Sequence, residues 1–262
     1  MEEIKNIKSY NEEMVKSLID KIYFIDKTDA NFFVDYGCAD GTLIKFLNNL
    51  FPGKTYWGYD VNQEMLKIAK DNISASNITF SNKLPPTRTT NKIKMCFILN
   101  SVIHEVYSYG PENVSSFWQQ LWDYGPDYIA IRDMMVSGKT SRPAPAKSVA
   151  RVRQIMSKNI IDQWEAQWGS LDENWSLIHF FLTYKYQKNW DREYRENYLP
   201  LSYESLLNLI PPEYDIHYVN HYSLPYLVGE VWKDFYIQLQ DPTHIQLILR
   251  KVKHKPRTIQ TI

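Results

Sequence analysis

Between residues 31 and 133 the chain alternates short runs bounded by turn residues with segments whose apolar side chains recur at helical spacing. Asn31 to Tyr36, Thr55 to Asp60, Ile78 to Ser81, Lys94 to Asn100 and Tyr128 to Asp133 are the runs, and their length suits buried strands. Leu43, Ile44, Phe46, Leu47 and Leu50 follow a period near 3.6 until Pro52-Gly53 stops them. Gln63 to Asn72 is the next such segment, with Asn62 placed to cap its first turn. Strands that alternate with helices require a parallel sheet covered on both faces.

Tyr214 to His221 and His244 to Lys251 alternate only in part and are expected to pair antiparallel at the sheet edge. About 80 residues separate Asp133 from Tyr214, far more than the roughly 12 a crossover needs. Ser202 to Ile210 supplies a crossover helix. The expected fold is therefore α/β: a doubly wound, mostly parallel seven-stranded sheet with an antiparallel last strand and a helical insertion between strands five and six. Residues 1–135 hold the first part of the domain, 136–200 the insertion, and 201–262 the completion of the sheet. Met14, Val15, Leu18, Ile19 and Ile22 predict an amphipathic helix ahead of the first strand.

Of the 262 residues 44% are hydrophobic and 23% charged, which fits a folded chain and excludes a largely disordered one. Lysine plus arginine equal aspartate plus glutamate at 30 each, so no global field draws nucleic acid. Cys38 and Cys96 are the only cysteines and form no C-x-x-C pair, which points to a reducing setting and away from a cysteine metal site. The first residues lack the order of a signal peptide, and no apolar run approaches the roughly 20 residues of a membrane span. A cytoplasmic protein is expected.

The first strand runs into Val34-Asp35-Tyr36-Gly37-Cys38-Ala39-Asp40-Gly41. A dinucleotide site wants G-x-G-x-x-G, and here the middle glycine is missing. Asp35 and Asp40 would repel a pyrophosphate across that turn and would attract a cationic ligand. S-adenosylmethionine carries an ammonium and a sulfonium. Asp60, 25 residues after Asp35, ends the second strand, where a carboxylate can accept from both ribose hydroxyls.

At these residues the chain resembles the class I S-adenosylmethionine-dependent methyltransferases: V-D-Y-G-C-A-D-G is similar to their first motif and W-G-Y-D-V-N to their second. The resemblance covers residues 31–133 and, loosely, the last two strands; the insertion is unmatched. It implies that Asp35 holds the methionine ammonium, that Gly37, Cys38, Ala39 and Gly41 pass beneath the methionine, that Asp60 grips the ribose and that Val61 packs on the adenine. Asn82 or Ser81 would meet the adenine amino group, where the family usually has an acid. Asn100 and Ser101, ending the fourth strand, would face the methionine end.

The fourth strand continues into Ile103-His104-Glu105-Val106. His104 could accept a proton from an attacking hydroxyl or amine and an acid could orient it, with Glu105 and Asp133 as the candidate acids. On a helix, adjacent residues point about 100° apart, so His104 and Glu105 need not touch. Arg132 and Asp133 fall at the carboxyl edge, where they either reach the acceptor or pair with each other. His179, His217, His221 and His244 read as packing residues, and no H-E-x-x-H spacing or other metal signature appears.

From Gly138 to Ile161 the chain carries Lys139, Arg142, Lys147, Arg151, Arg153 and Lys158 without one acid. Tyr184 to Tyr198 then interleaves bases with aromatics. Bases for phosphates and rings for stacking suit single-stranded RNA, so RNA is the expected acceptor and the basic residues its contacts. Two alternatives stand beside it: a small-molecule O- or N-methyltransferase with the insertion as a lid, and a cofactor-binding protein without catalysis. Oligomeric state is not legible. The chain lacks the N/D-P-P-Y/F signature of many amino-group methyltransferases, and Asn100 stands where ribose-oxygen methyltransferases place an acid.

Overall fold

The computed structural model describes residues 17–86 and 93–252. Most of the predicted leading helix lies outside the described residues; the part inside is a 3-10 turn at Asp20–Ile22.

Seven strands form one sheet: β1 (Phe32–Tyr36), β2 (Thr55–Tyr59), β3 (Ile78–Ser81), β4 (Met95–Asn100), β5 (Tyr128–Met134), β6 (Tyr214–Tyr222) and β7 (His244–Lys251). Their order is β3-β2-β1-β4-β5-β7-β6. Neighbours from β3 through β5 pair parallel, and β7 runs antiparallel to both β5 and β6. The expected doubly wound sheet with an antiparallel last strand is the observed one. Strand order reverses between β1 and β4, and in open α/β sheets the ligand crevice lies outside the carboxyl ends at that point.

The helices are α1 (Thr42–Leu50), α2 (Gln63–Asn72), α3 (Ile103–Tyr109), α4 (Val114–Tyr124), α5 (Ala146–Ile155), α6 (Lys158–Trp168), α7 (Asn174–Thr183), α8 (Trp190–Glu193), α9 (Tyr203–Asn208) and α10 (Pro225–Phe235). Asn62 caps α2 as its sequence position predicts, accepting from the amides of Glu64 and Met65. Ser202 does the same for α9 through Ser205 N. Among the described residues no helix is long and apolar enough to cross a membrane.

Alternate residues of the strands feed two apolar layers. Phe33, Ile98, Ala130 and Ile248 pack with α1 and α2 through Ile44, Leu47 and Leu66. Val34, Phe97, Ile129 and Leu247 pack with α4 through Phe117 and Leu121. Burying these two faces accounts for the unbroken burial of β5 and for the apolar reading of its sequence.

A third core lies outside the sheet. Val149, Val152, Ile161, Trp164, Phe180 and Phe181 of the inserted helices pack with Leu227, Val231 and Phe235 of α10. Nearly every side chain of α7 is buried, as a helix apolar all round must be. The insertion is thus a helical cap, and its core is completed by a helix from between β6 and β7 that the sequence reading did not place.

Gly58 on β2 lets Phe80 and the Cys38 loop close on the sheet. A Cβ there would run into the Phe80 ring edge and sit 2.8 Å from Cys38 Sγ. Gly58→Ala is expected to cost ~1–3 kcal/mol by overpacking. Thermal unfolding should register that as a fall of about 2–4 °C per kcal/mol, and an unchanged midpoint would refute the crowding.

Candidate active site

The loop after β1 is built by backbone geometry. Gly37, Ala39 and Gly41 have φ of 81°, 45° and 78°, in the left-handed region. Gly37 N and Cys38 N both donate to Tyr59 O, at 2.8 and 3.0 Å, which folds the loop over the end of β2. A Cβ at Gly41 would stand 2.8 Å from both Ile73 and Phe80, so glycine is required there by space as well as by φ. Cys38 is buried, with its thiol against Gly58 of β2.

Asp60 locks this loop to the second strand. Its Oδ2 accepts from Ala39 N at 2.8 Å and its Oδ1 from Asn62 N at 2.8 Å. Both bonds fix the carboxylate plane while each oxygen retains a lone pair. Asp40 Oδ1 accepts from Thr42 N at the start of α1. Asp35 is buried at the end of β1; burial lifts its carboxyl to about 7, with the nearby Lys21 cation opposing and Asp60 and Asp40 adding to the rise. Asp40 and Asp60 thus both act on Asp35, and the Lys21 cation opposes them.

Val61, next to Asp60, is 68% exposed, an apolar side chain held out beside the loop. Asn82 is exposed beyond β3, and Ser81 Oγ accepts from Lys83 N. Asn100 donates to Lys21 O at 3.1 Å, while its Oδ1 is buried with no hydrogen-bond partner. Ser101 has φ of 58°, and its hydroxyl accepts from Arg132 Nη1 at 3.1 Å.

Arg132 and Asp133 do not pair with each other. Successive strand residues point to opposite faces, and the two serve separate networks. Arg132, buried, donates through Nε to Asp20 Oδ2 at 2.7 Å, and Asp20 also accepts from Tyr222 and Gln246. That burial places Arg132 inside a knot joining β5, β6 and β7, behind the edge where an acceptor contact was expected.

Asp133 Oδ2 accepts from Ile103 N at 2.8 Å, and its Oδ1 accepts from Met134 N at 2.8 Å and lies 2.7 Å from His104 Nδ1. His104 is buried. On its far side Nε2 lies 3.5 Å from Glu196 Oε1, a residue of the cap. Burial works against charge on this imidazole, but Asp133, Glu196 and Glu105 outweigh it and raise it to about 9. Burial likewise lifts Glu196 to about 7 against the pull of His104 and Arg192. Glu105, on the adjacent helical face, is raised for the same reason.

Arg192 gathers the acids of this cluster. Its Nη2 lies 3.6 Å from Glu105 Oε1 and 3.5 Å from Glu196 Oε2, and its Nη1 donates to Glu193 Oε1 at 2.6 Å. Tyr109 OH donates to Glu196 Oε2 at 3.2 Å, and Tyr198 OH donates to Glu193. Sequence reading took residues 192–198 for bases and rings and passed over Glu193 and Glu196. The only signal was two acids set among aromatics in a segment that had to be buried.

The basic segment is not a bare patch. Arg142 makes a two-pronged pair with Asp241 at 3.0 and 2.7 Å, Arg153 another with Glu165, and Lys158 pairs with Asp162. Arg151 donates to Phe235 O and lies over the Tyr236 ring. Lys139 and Lys147 are exposed. The missing acids come from elsewhere in the chain. His179, His217, His221 and His244 each have a protein partner, His179 within a cage of Trp164, Trp168 and Trp175.

Among solved structures the fold is similar to that of the plantazolicin methyltransferase BamL, solved with a triazolic desmethylPZN analog and SAH. The TM-score is 0.50 and the identity 14%, over 94% of this chain and 88% of that one. A SAM-dependent methyltransferase from Anabaena variabilis gives 0.48 and 14%, over 95% and 96%. Human N-acetylserotonin methyltransferase with SAM gives 0.48 and 12%, over 94% of this chain and 55% of that one. No family model and no curated protein matches the chain. With its strand order, its glycine loop and the acid ending β2, the chain has the class I methyltransferase fold.

Asp133→Asn keeps the shape but removes the charge held between Ile103 N, Met134 N and His104. It is expected to cost roughly 1.5–3 kcal/mol, the worth of a charged hydrogen bond. Chemical denaturation should show a lower midpoint, and no measurable change would remove Asp133 from its structural role.

Proposed function

We propose that the protein is an S-adenosylmethionine-dependent methyltransferase acting on an oxygen or nitrogen nucleophile. The observation that carries this reading is the meeting of Asp35, Asp40 and Asp60 at a loop whose glycines keep side chains out of the way. The residues fit the cofactor: the carboxylates suit the ammonium, Asp60 retains lone pairs for the ribose hydroxyls, exposed Val61 suits an adenine face, and Asn100 Oδ1 is an unpartnered acceptor nearby. When bound, S-adenosylmethionine supplies an activated methyl group on a sulfonium that leaves as a neutral thioether. The chain's own part is to hold the acceptor in line and exclude water, since His104, raised to about 9, already carries its proton near neutral pH. Asp133 positions His104, and Glu105, at 36% exposed, is the acid that reaches the open side.

For the acceptor, the paired arginines weaken the case for RNA, and so does the cap's aromatic core. Trp164, Phe180, Tyr184 and Tyr198 are buried in packing and offer no faces for base stacking. Glu196 reaches from the cap to His104, which supports a lid closing over a small or short peptidic acceptor. Methyl transfer from a labelled donor to pools of small molecules, peptides and RNA distinguishes these. Label is expected in the first two pools, and label confined to RNA, with binding that falls steeply with salt, would restore the RNA reading.

Asp35→Asn and Asp60→Ala should each weaken S-adenosylmethionine binding at least about tenfold, ~1.4 kcal/mol, by calorimetry. Unchanged affinity in both would sink the cofactor assignment. Because Asp35 sits near 7, a cationic ligand must displace its proton below that pH. Wild-type affinity is expected to rise by up to about tenfold per pH unit until about 7 and then level, and Asp35→Asn should flatten that slope.

A further inference from the structure

We infer that His104, Glu105 and Glu196 form a binding site for a divalent transition-metal ion of the zinc or manganese type, on the acceptor side of the sheet edge. One ligand atom from each of the three lies within 4.8 Å of the others. His104 Nε2 and Glu196 Oε1 are 3.5 Å apart. Metal bonds of ~2.1 Å at tetrahedral angles put neighbouring ligand atoms about 3.4 Å apart, so this edge of the polyhedron is already formed.

Each residue is prepared for the role by what it touches. Asp133 takes His104 Nδ1 at 2.7 Å, the carboxylate partner that fixes a metal-bound imidazole and directs the Nε2 lone pair outward. Glu196 is buried with its two oxygens in different circumstances. Oε2 receives Tyr109 OH and the Arg192 guanidinium, whereas Oε1 has no hydrogen-bond partner and faces Nε2. An acceptor oxygen left without a hydrogen bond in the interior is costly, and a bound cation at Nε2 or a proton on His104 would satisfy it. Glu105 gives one oxygen to Arg192 at 3.6 Å, and its partial exposure leaves a side of the site open.

Charge points the same way. Asp133, Glu193, Glu196 and Glu105 surround this cluster, and among the described residues Arg192 is the permanent cation paired with its acids. One imidazole nitrogen with two carboxylates is a mixed donor set that suits Zn²⁺ or Mn²⁺ better than Mg²⁺ or a thiolate-seeking ion. Three protein ligands with an open position is the catalytic pattern and not the closed structural one. The ion's chemistry there, which rests on the methyl-transfer reading, would be to hold an acceptor hydroxyl and lower its pKa. The competing state is a doubly protonated His104 that bridges Asp133 and Glu196 by itself.

The test is direct binding to chelator-treated full-length protein, with Zn²⁺ followed by calorimetry and Mn²⁺ by loss of the free-ion electron paramagnetic resonance signal. Saturable binding of one ion per chain is expected, weakened at least about tenfold, ~1.4 kcal/mol, in Glu105→Gln and abolished in Glu196→Gln. Circular dichroism and S-adenosylmethionine binding are measured on the same samples. Glu105→Gln, with the more exposed side chain, decides the matter if Glu196→Gln does not fold. Absence of saturable binding by wild type, or equal binding by both variants, would overturn the site in favour of the protonated bridge. Failure of S-adenosylmethionine binding with metal binding intact would strike the methyl-transfer reading and leave the site standing.

Discussion

The carboxylate of Asp133 is the joint through which the sheet is tied to the cap. It ends a strand buried on both faces, where an unpaired charge would be prohibitive, and it is satisfied by two backbone amides and an imidazole. The amide of Ile103 is an orphan donor of the first turn of α3, so the same bond that neutralises the acid sets where that helix starts. His104 follows one residue later with no freedom to turn away. From it the network runs to Glu196, and through Glu196 to Arg192, Tyr109 and the cap.

The end of the sheet at the loop after β1 is organised differently. There the backbone does the shaping, and Asp60 fastens the glycine loop to the end of β2. The two sides meet at Asn100 and Ser101, the latter a non-glycine residue in the left-handed region. Its conformation is imposed from β5, whose Arg132 receives the Ser101 amide on its carbonyl and bonds the Ser101 hydroxyl. Backbone strain at such a position persists only where surrounding bonds over-determine it.

What could be read in the sequence was what is local. The strands, the Asn62 cap and the helical period of α1 depend on residues within a few positions of one another, and Asp35, Gly37, Gly41 and Asp60 lie in one βαβ unit. The cap's acids were illegible for the opposite reason. Nothing near Glu196 in the chain announces His104, and nothing in residues 138–161 announces that Asp241 and Glu165 neutralise Arg142 and Arg153. The missed helix α10 did carry a signal, since Leu227, Val231 and Phe235 stand four apart on one face. Of the two readings open for Arg132 and Asp133, reaching the acceptor or pairing with each other, the second rested on their adjacency in the chain, and the pleat of the strand separates them.

The third core also bears on how the molecule comes together. Its inserted helices follow β5, yet the face of α10 that completes their packing comes only after β6 has crossed. On a chain synthesised from its N-terminus, the sheet's first five strands can assemble while the cap's aromatic side chains still lack their last wall.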